Sequence, residues 1–294
     1  MPTDDLLQRT LAELGLGNAY RQDGGWIDEF YRLGSQLEER VEEKRVLHYR
    51  FNPESGVIRI VPIFDVHVGM KACDEEMLER HIEYIERTPD TYTFLGGDLM
   101  ESATRDSVGM GIFDERYHLA DQIARIRRLL KPLAEKNKIL GAITGNHEMR
   151  TAKYNTADPL ADICDVLNIP FLGYQAFIKI TVNGITYKTI WWHGASGATT
   201  KGGKMNAVLR MRKLGVADLY TMGHVHDRFY TEEIEHDMDD ETDELVAHKR
   251  IYLIAGSFLR YFGGYSEMKG FAPAPLGAPM ILLNGQYKDI RILL

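Results

Sequence analysis

The chain has 294 residues, of which 44% are hydrophobic and 27% are charged, a composition typical of a folded globular protein. Its formal net charge of -8 argues against broad, charge-driven binding to nucleic acid, and its two cysteines match neither a disulfide framework nor a metal-binding spacing. The N-terminal residues lack the pattern of a signal peptide, and no apolar run approaches the roughly 20 residues that span a bilayer. We therefore expect a cytoplasmic protein that does not enter a membrane.

Residues 1–50 are predicted to form a helical N-terminal extension, followed by a catalytic domain at residues 51–294. Leucines recur at helical spacing near the start, and a second helical segment runs from about Trp26 to Val46. One prediction for this extension is that it packs onto the main domain or onto a second copy of the chain. The alternative is that it binds a protein partner.

From Gly56 onward, apolar runs typical of strands alternate with helical patterns. The predicted strands are 57–64, 91–95, 138–143, 177–182, 185–192, 218–222, 228–234, 248–255, 279–283 and 287–293, and the predicted helices are 75–86, 117–136, 158–167 and 204–214. Strands that alternate with helices predict an α/β sandwich of mixed sheets flanked by helices.

Three short segments are read as turns or loops. The pairs Asn183-Gly184 and Asn284-Gly285 are typical of two-residue hairpin turns. The acidic run 232–244 is predicted to be a solvated hairpin loop and not a metal site.

Five short blocks carry Asp, Asn and His directly after predicted strands, and they contain five of the ten histidines. In chain order they are Asp65-Val66-His67, Gly97-Asp98-Leu99-Met100-Glu101, Gly145-Asn146-His147-Glu148, His193-Gly194 and Gly223-His224-Val225-His226. Because ligands of α/β folds bind beyond the carboxyl ends of strands, we expect the blocks to share one site.

These residue types suit a pair of divalent metal ions. A mixture of imidazole and carboxylate ligands accepts Mn²⁺, Fe²⁺, Zn²⁺ or Ni²⁺, and one carboxylate can bridge two ions about 3.5–4 Å apart. Asp98 suits the bridging role because it follows two glycines that allow a tight turn. Asp65 and His67 are two residues apart, so on an extended segment both point to one side and can share an ion. The pair His224 and His226 has the same spacing and can share an ion or divide between two.

Together and in this order, the blocks resemble the calcineurin-like metallophosphoesterase superfamily, over about residues 56–260. The resemblance implies a four-layer sandwich and two divalent ions, with Mn²⁺ as the first candidate. It implies that one ion is bound by Asp65, His67 and His226, that the second is bound by Asn146, His193 and His224, and that Asp98 bridges them. His147 would lie over the phosphate and assist the leaving oxygen, and Glu148 would hold the His147 ring. Water or hydroxide between the ions would be the nucleophile.

Two loops are expected to border the ions and to select the substrate. The first is 99–117, which contains Arg105, and the second is 194–203, which contains Lys201. Glu101, at the start of the first loop, is either an orienter of a metal ligand or a carboxylate at a helix N-terminus.

The segment 256–265 is a further candidate for substrate binding. In it, Arg260 would contact phosphate. The aromatic residues Phe258, Tyr261 and Tyr265 would stack on a base. The alternative is an aromatic cluster that closes the core.

The predicted function is hydrolysis of a phosphodiester in a nucleic acid (DNA or RNA) or a nucleotide-like molecule, with weak resemblance to repair exonucleases and their phage relatives. A basic border would support it, made of Arg125, Arg127, Arg128, Lys131, Lys201, Lys204, Arg210, Arg212 and Lys213. A phosphomonoesterase, including a protein phosphatase, is the alternative because the same ions serve both reactions. A partner-binding scaffold acting through residues 1–50 is a third reading, and the intact ligand set argues against it.

Overall fold

The computed structural model describes residues 46–104, 107, 111–155, 157–239, 242–263 and 265–294. The helices predicted before residue 46 lie outside this part of the chain. Within it, the strands are β1 Val46–Phe51, β2 Val57–Ile63, β3 Thr91–Leu95, β4 Ile139–Ala142, β5 Gln175–Val182, β6 Ile185–Trp192, β7 Leu219–Met222, β8 Arg228–Met238, β9 Leu245–Ala255, β10 Met280–Asn284 and β11 Ile290–Leu293. The helices are α1 Glu75–Arg87, α2 Leu119–Glu135, α3 Asn146–Asn155, α4 Pro159–Leu167, α5 Lys201–Leu209 and α6 Tyr265–Met268, with 3₁₀ turns at Gly111–Asp114 and Arg210–Lys213.

The described strands form two mixed sheets, which confirms the predicted sandwich. One sheet has the six-strand order β1-β5-β6-β7-β9-β8, and the other has the five-strand order β11-β10-β2-β3-β4. Strands β6, β7 and β9 run parallel in the first sheet, and β2, β3 and β4 run parallel in the second. The carboxyl ends of these parallel strands provide the loops from which a site can be built.

Alternation along the strands produces three apolar layers and hence four layers of secondary structure. Phe64, Phe94 and Trp191 pack between the sheets, where the Phe94 and Trp191 rings stack with centroids 4.5 Å apart. The opposite face of the five-stranded sheet is covered by α1, α2 and α4, with Leu78 among the buried side chains. The outer face of the six-stranded sheet is covered by α5, through Val208. None of the described helices combines the length and apolarity that a membrane crossing requires.

Strand β1 differs from the sequence prediction, which placed residues 46–50 in the helical extension. Its residues pair in parallel with β5, and Leu47, Tyr49 and Phe51 pack against the core between the sheets. This alternation with a period of two is typical of a strand. The segment therefore belongs to the six-stranded sheet.

Helix α3 was also missing from the sequence prediction. It begins at Asn146, within one of the five blocks. Its sequence, NHEMRTAKYN, is mostly polar and lacks the apolar periodicity that indicates a helix. Its first three residues are Asn146, His147 and Glu148 of that block.

The acidic run is mostly strand, and the predicted solvated loop is wrong for this segment. Strands β8 and β9 pair as far as Met238 and Leu245, so the connection is short. Ile234 and Met238 alternate with acidic residues and are exposed on the resulting ribbon. An alternating run of this kind forms a strand even where both faces meet solvent.

The two Asn-Gly pairs behave differently. Val182 pairs with Ile185, so Asn183-Gly184 is the predicted two-residue turn, and the φ angles of these two residues, 46° and 92°, are those the turn requires. Strand β10, in contrast, ends at Asn284 and β11 begins only at Ile290. The second connection is therefore longer than predicted.

Candidate metal centre

The five blocks lie at the carboxyl ends of parallel strands and meet at one site. Asp65 follows β2, Asp98 follows β3 and Asn146 follows β4. His193 directly follows β6, and the His224 block follows β7. All seven predicted ligands therefore come from loops at the carboxyl ends of these strands.

The backbone of these loops is strained at the predicted ligands. Five of them have φ angles in the left-handed region, namely Asp65 at 49°, His67 at 55°, Asp98 at 50°, His224 at 68° and His226 at 46°. Each such residue costs about 1–3 kcal/mol and persists only where the surroundings impose it. The fold is thus less stable by this strain, and in exchange the five side chains point into the site.

Two glycines permit the close approach of neighbouring loops. A Cβ atom at Gly145 would overlap the Asp98 carboxylate. A Cβ atom at Gly97 would contact the backbone of Gly145, and Gly97 has a φ of 85°. Only glycine fits at these two positions, so the Gly-Asp and Gly-Asn sequences serve the contact between β3 and β4 loops.

The predicted ligands of the first ion lie together. The Nε2 atoms of His67 and His226 are 3.2 Å apart, and His226 Nε2 is 3.7 Å from Asp65 Oδ1. These three side chains form one of the described clusters whose ligand atoms lie within 4.8 Å of one another. The geometry agrees with the division of ligands that the resemblance implies.

The predicted ligands of the second ion also lie together, next to Asp98. Asn146 Oδ1 is 3.1 Å from His193 Nε2 and 2.8 Å from His224 Nδ1. Asp98 Oδ2 is 3.1 Å from His193 Nε2 and 3.8 Å from His67 Nε2. One oxygen of Asp98 therefore lies between both ligand groups, where a bridging carboxylate would be.

The two aspartates carry atoms that fit a cation. Asp65 Oδ2 accepts the His224 backbone N–H at 2.8 Å, and Asp98 Oδ1 accepts the His147 backbone N–H at 2.8 Å. Their other oxygens, Asp65 Oδ1 and Asp98 Oδ2, are buried and accept no hydrogen bond from the described residues. A buried carboxylate oxygen without a partner is unfavourable, and a bound divalent ion would satisfy both.

Hydrogen bonds to the far side of two rings set their orientation. His67 Nδ1 donates to Glu101 Oε2 at 2.9 Å, and His193 Nδ1 donates to the Gly96 carbonyl oxygen at 2.8 Å. Each ring consequently turns its Nε2 atom toward the site. This pairing of a ligating histidine with an acceptor is common around metal ions.

Glu101, and not Glu148, lies against the His147 ring. The Glu148 carboxylate does not hold the His147 ring as predicted, because it accepts backbone N–H groups of Asp98, Leu99, Met100 and Gly145 at 2.7–3.2 Å. Glu101 is not in a helix, and its carboxylate lies 3.2 Å from His147 Nδ1. Glu101 therefore orients both His67 and His147, whereas Glu148 holds the Asp98 loop.

His147 presents one nitrogen to the cavity. Its Nδ1 donates to the Glu101 carbonyl oxygen at 2.8 Å, which leaves Nε2 at 3.7 Å from Asp98 Oδ2. Arg150, one helical turn later, lies 2.9 Å from that Nε2 and 3.5 Å from Glu101 Oε1. The sequence prediction missed Arg150, because its proximity to His147 depends on helix α3, which the sequence did not predict. His147 is also close enough to His67 and Asp98 to join a third cluster of ligand atoms.

Burial and charge shift the pKa values of the site strongly. Burial raises the pKa of Asp65 to about 8. Burial lowers the pKa of His193 and His147, but Asp98 and other carboxylates outweigh it and raise these pKa values to about 10 and about 9. The protons on Asp65 and His193, which are both predicted ligands, must leave when a cation binds.

The predicted substrate-binding residues are only partly at the site. Arg260 lines the cavity and donates from Nε to Asp74 Oδ2 at 3.0 Å. Tyr261 borders a smaller cavity beside it. Arg105 lies outside the described residues, as does the Tyr265 side chain.

Lys201 and Phe258 lie outside the cavity lining, and for Phe258 the structure agrees with the alternative of an aromatic cluster in the core. Lys201 does not line the cavity, and its Nζ lies 5.5 Å from the Phe229 ring centroid. Phe258 is fully buried, with its ring 5.2 Å from that of His81, so it closes the core and cannot stack on a base.

The cavity in front of the ligands has a volume of about 350 Å³. His147, His224 and His226 lie on its floor, and three cationic side chains, Arg150, Lys204 and Arg260, line it. Lys204 is buried and donates to Asp227 Oδ2 at 3.1 Å. Cavities of this size bind small molecules or single groups of larger ones.

The residues of the predicted basic border are mostly outside the cavity lining. Of its nine members, only Lys204 lines the cavity. Arg125 forms ion pairs with Glu75 and Glu79 on α1. Arg125 therefore joins α2 to α1.

Comparisons with known proteins gave matches among solved structures. No family model matches the sequence, and no curated protein matches it. A metallophosphoesterase from Sphaerobacter thermophilus matches with a TM-score of 0.40 and 15% identity, covering 80% of this chain and 87% of that one. Zinc-complexed Vps29 from Entamoeba histolytica matches with a TM-score of 0.38 and 15% identity, covering 80% and 90%. A predicted phosphoesterase from Streptococcus pneumoniae matches with a TM-score of 0.36 and 13% identity, covering 81% and 89%.

The resemblance rests on features of this chain. Its two mixed sheets are flanked by helices, and Asp and His side chains from the five blocks cluster at ligand distances. In this fold and in this arrangement of blocks, the chain resembles the calcineurin-like metallophosphoesterase superfamily.

Proposed function

We propose that the chain is a phosphoester hydrolase that uses two divalent metal ions and that its substrates are phosphodiesters of nucleic acids or nucleotide-like molecules. The observation that carries the proposal is Asp98, whose unpartnered buried oxygen lies between two groups of ligand atoms. Such an arrangement suits two ions held close together, as in many phosphoryl-transfer enzymes. Mn²⁺ is the first ion to test, since the ligand types accept several metals.

The residues have separate tasks in this proposal. Asp65, His67 and His226 would hold one ion, Asn146, His193 and His224 the other, and Asp98 both. When bound, the ions supply positive charge that polarises the phosphoryl group and lowers the pKa of an attacking water. Glu101 keeps the rings of His67 and His147 aimed into the cavity, and Glu148 keeps the Asp98 loop in place.

His147 is proposed to act on the leaving group. Because its Nδ1 proton is donated to the Glu101 carbonyl oxygen, Nε2, which accepts from Arg150 in this structure, is the atom that would have to be protonated to act on the leaving oxygen. A diester with an alkoxide leaving group needs such assistance more than one with an acidic leaving group. This dependence links His147 to the class of ester.

The charges around the cavity favour a diester over a monoester. Each of the three cations that line the cavity in the described structure faces a carboxylate: Lys204 faces Asp227, Arg260 faces Asp74 and Arg150 faces Glu101. A diester carries a single negative charge, whereas a monoester carries up to two near neutral pH. Because these cations are already paired, they contribute little positive charge toward the second negative charge of a monoester. The metal ions alone would have to neutralise it.

The test is a direct comparison of two esters. The protein is stripped of metal, restored with Mn²⁺ and assayed on bis(p-nitrophenyl) phosphate and p-nitrophenyl phosphate, with Asp98→Asn as the blank. We expect a higher kcat/KM for the diester, and single- and double-stranded nucleic acids would be assayed next. A higher kcat/KM for the monoester would assign a phosphatase, and no hydrolysis of either ester would contradict the proposal.

A further inference from the structure

The cavity is lined by apolar as well as polar side chains. Five of its apolar lining residues are Met70, Ala72, Leu259, Phe271 and Ala272; we name these five residues the apolar wall. None of them is a predicted metal ligand, and the reaction proposed above does not use them. Exposure of this apolar surface to water is unfavourable. A bound ligand with apolar groups would cover it.

The apolar wall is part of the backbone framework of the site. Asp74 donates its backbone N–H to the Phe258 carbonyl at 2.8 Å, and Arg260 donates to the Ala72 carbonyl at 2.9 Å. These bonds join the segments that carry Ala72 and Leu259. The wall is consequently built from ordered chain, which is typical of preformed binding sites.

The apolar wall lies next to the predicted ligands of the first ion. Met70 donates its backbone N–H to the His67 carbonyl at 3.0 Å, and the Ser257 hydroxyl, two residues before Leu259, donates to the Asp65 carbonyl at 3.1 Å. A phosphate held at the ions would therefore direct one of its ester groups along the wall.

A small cavity adjoins the main one. It shares His226, Leu259 and Ala272 with the main cavity and is also lined by Ser257, Tyr261, Pro275 and Leu276. The additional lining is largely uncharged, so the surface continues without a cation to receive another phosphate. Asp114, on the rim of the main cavity, would repel one.

We propose that the apolar wall binds a flat aromatic ring carried by one ester group of the substrate. This inference rests on the proposed function, because it places the phosphate at the ions and adds the class of group attached to it. An aryl group and a nucleobase share the required chemistry, a flat face with apolar surface. A phenyl ester buries roughly 60 Å² more apolar surface than a methyl ester, which corresponds to about a ten-fold preference.

The experiment keeps the leaving group constant and varies the other ester. The substrates are methyl p-nitrophenyl phosphate, phenyl p-nitrophenyl phosphate and the p-nitrophenyl ester of thymidine 5′-phosphate, assayed with Mn²⁺ on the full chain. Phe271→Ala and Met70→Ala remove parts of the wall. Phe262→Ala is the matched control, since Phe262 is 77% exposed and does not line the cavity.

The ratio of kcat/KM values between phenyl and methyl esters is the readout. We expect a ratio of about 10 in the natural chain, a two- to five-fold lower ratio in both wall variants and an unaltered ratio in the control. Because partial unfolding lowers both rates equally, the ratio reports the wall alone. The thymidine ester distinguishes the two ring types: a rate above that of the phenyl ester assigns a nucleobase, and a rate below it assigns an aryl group.

Two results separate the failure of this inference from that of the proposed function. Hydrolysis of all three esters with a phenyl-to-methyl ratio near one, or with a ratio that both wall variants leave unaltered, would overturn the ring-binding role only. The absence of hydrolysis for every ester would contradict the phosphodiesterase itself.

Discussion

The interior between the sheets and the ligand-bearing edge of the same strands follow opposite rules. In the interior, two buried polar side chains form a chain of hydrogen bonds: Trp191 Nε1 donates to Thr189 Oγ1 at 2.8 Å, and that hydroxyl donates to the Ile178 carbonyl at 3.0 Å. At the edge, Asp65 and Asp98 each bury an oxygen without a hydrogen-bond partner. The interior is built for stability, whereas the edge keeps polar atoms unsatisfied for a ligand.

The backbone shows the same contrast. The strands end in regular extended conformation, yet five predicted ligands just beyond them have left-handed φ angles. Such strain requires a stable scaffold to hold it. We therefore expect substitutions in the interior to lower the free energy of unfolding and substitutions at the edge to lower activity.

Asp98→Asn should have the largest effect. The neutral amide cannot bridge two cations, so we expect kcat/KM for a diester to fall about 1,000-fold or more, equivalent to several kcal/mol of lost charge stabilisation. The measurement is steady-state hydrolysis with saturating Mn²⁺. Asp121→Asn, an exposed aspartate on α2, is the control and should retain the rate. Wild-type activity in Asp98→Asn would refute the bridging role.

Ile180→Ala tests the interior between the sheets. Ile180 is fully buried between the sheets, so its truncation should lower the free energy of unfolding by about 2–5 kcal/mol. Ile234→Ala makes the same change at a site that is 59% exposed and should stay within about 0.5 kcal/mol of wild type. Urea denaturation measures both, and kcat per folded molecule should stay at the wild-type value. A large loss of kcat in folded Ile180→Ala would show that the interior and the edge are not separate.

His147→Gln should slow turnover about 100-fold while metal binding is retained. The loss should grow as the leaving group becomes less acidic, because the variant cannot supply the proton at Nε2. Rates for a series of aryl and alkyl diesters measure this dependence. A variant that loses bound ions would instead make His147 a ligand, as its proximity to His67 and Asp98 allows.

Glu148→Gln distinguishes the structure from the sequence prediction. A glutamine has one acceptor oxygen where the carboxylate receives four backbone N–H groups, so the free energy of unfolding should fall by about 1–3 kcal/mol. Activity should fall by the same factor for all leaving groups, since the Asp98 loop and not His147 is disturbed. A leaving-group dependence equal to that of His147→Gln would instead support the predicted contact between Glu148 and the His147 ring.

The pH dependence of the metal-free protein follows from its raised pKa values. In the folded chain the pKa values of His193 and His147 are raised from 6.5 to about 10 and about 9. Above pH 6.5 and below these raised pKa values, the folded chain therefore binds more protons than the unfolded chain. The stability present below about pH 6.5 is then lost as pH rises toward 10. Asp65, with a pKa raised to about 8, acts in the same direction. We expect the melting temperature in chelator to fall from about pH 7 to pH 10, and a rise would contradict the assignment.

The position of the candidate site at the strand ends was predictable from the sequence. The five blocks were recognisable because each places polar residues after an apolar run, and the parallel strands then bring them together. Helix α3 and the contacts of Glu148 were not predictable, since α3 lacks apolar periodicity and Glu148 reaches a loop 48–50 residues earlier in the chain. The burial of Phe258 was not predictable either. A buried aromatic residue and one that binds a ligand look the same in the sequence.

Electron paramagnetic resonance of the Mn²⁺-loaded protein tests the bridged pair of ions most directly. A titration of metal-stripped protein should saturate at two ions per chain, and the spectrum should show exchange coupling between them, which the Asp98→Asn variant should abolish. A single bound ion, or two ions without coupling in the natural chain, would contradict a centre bridged by Asp98.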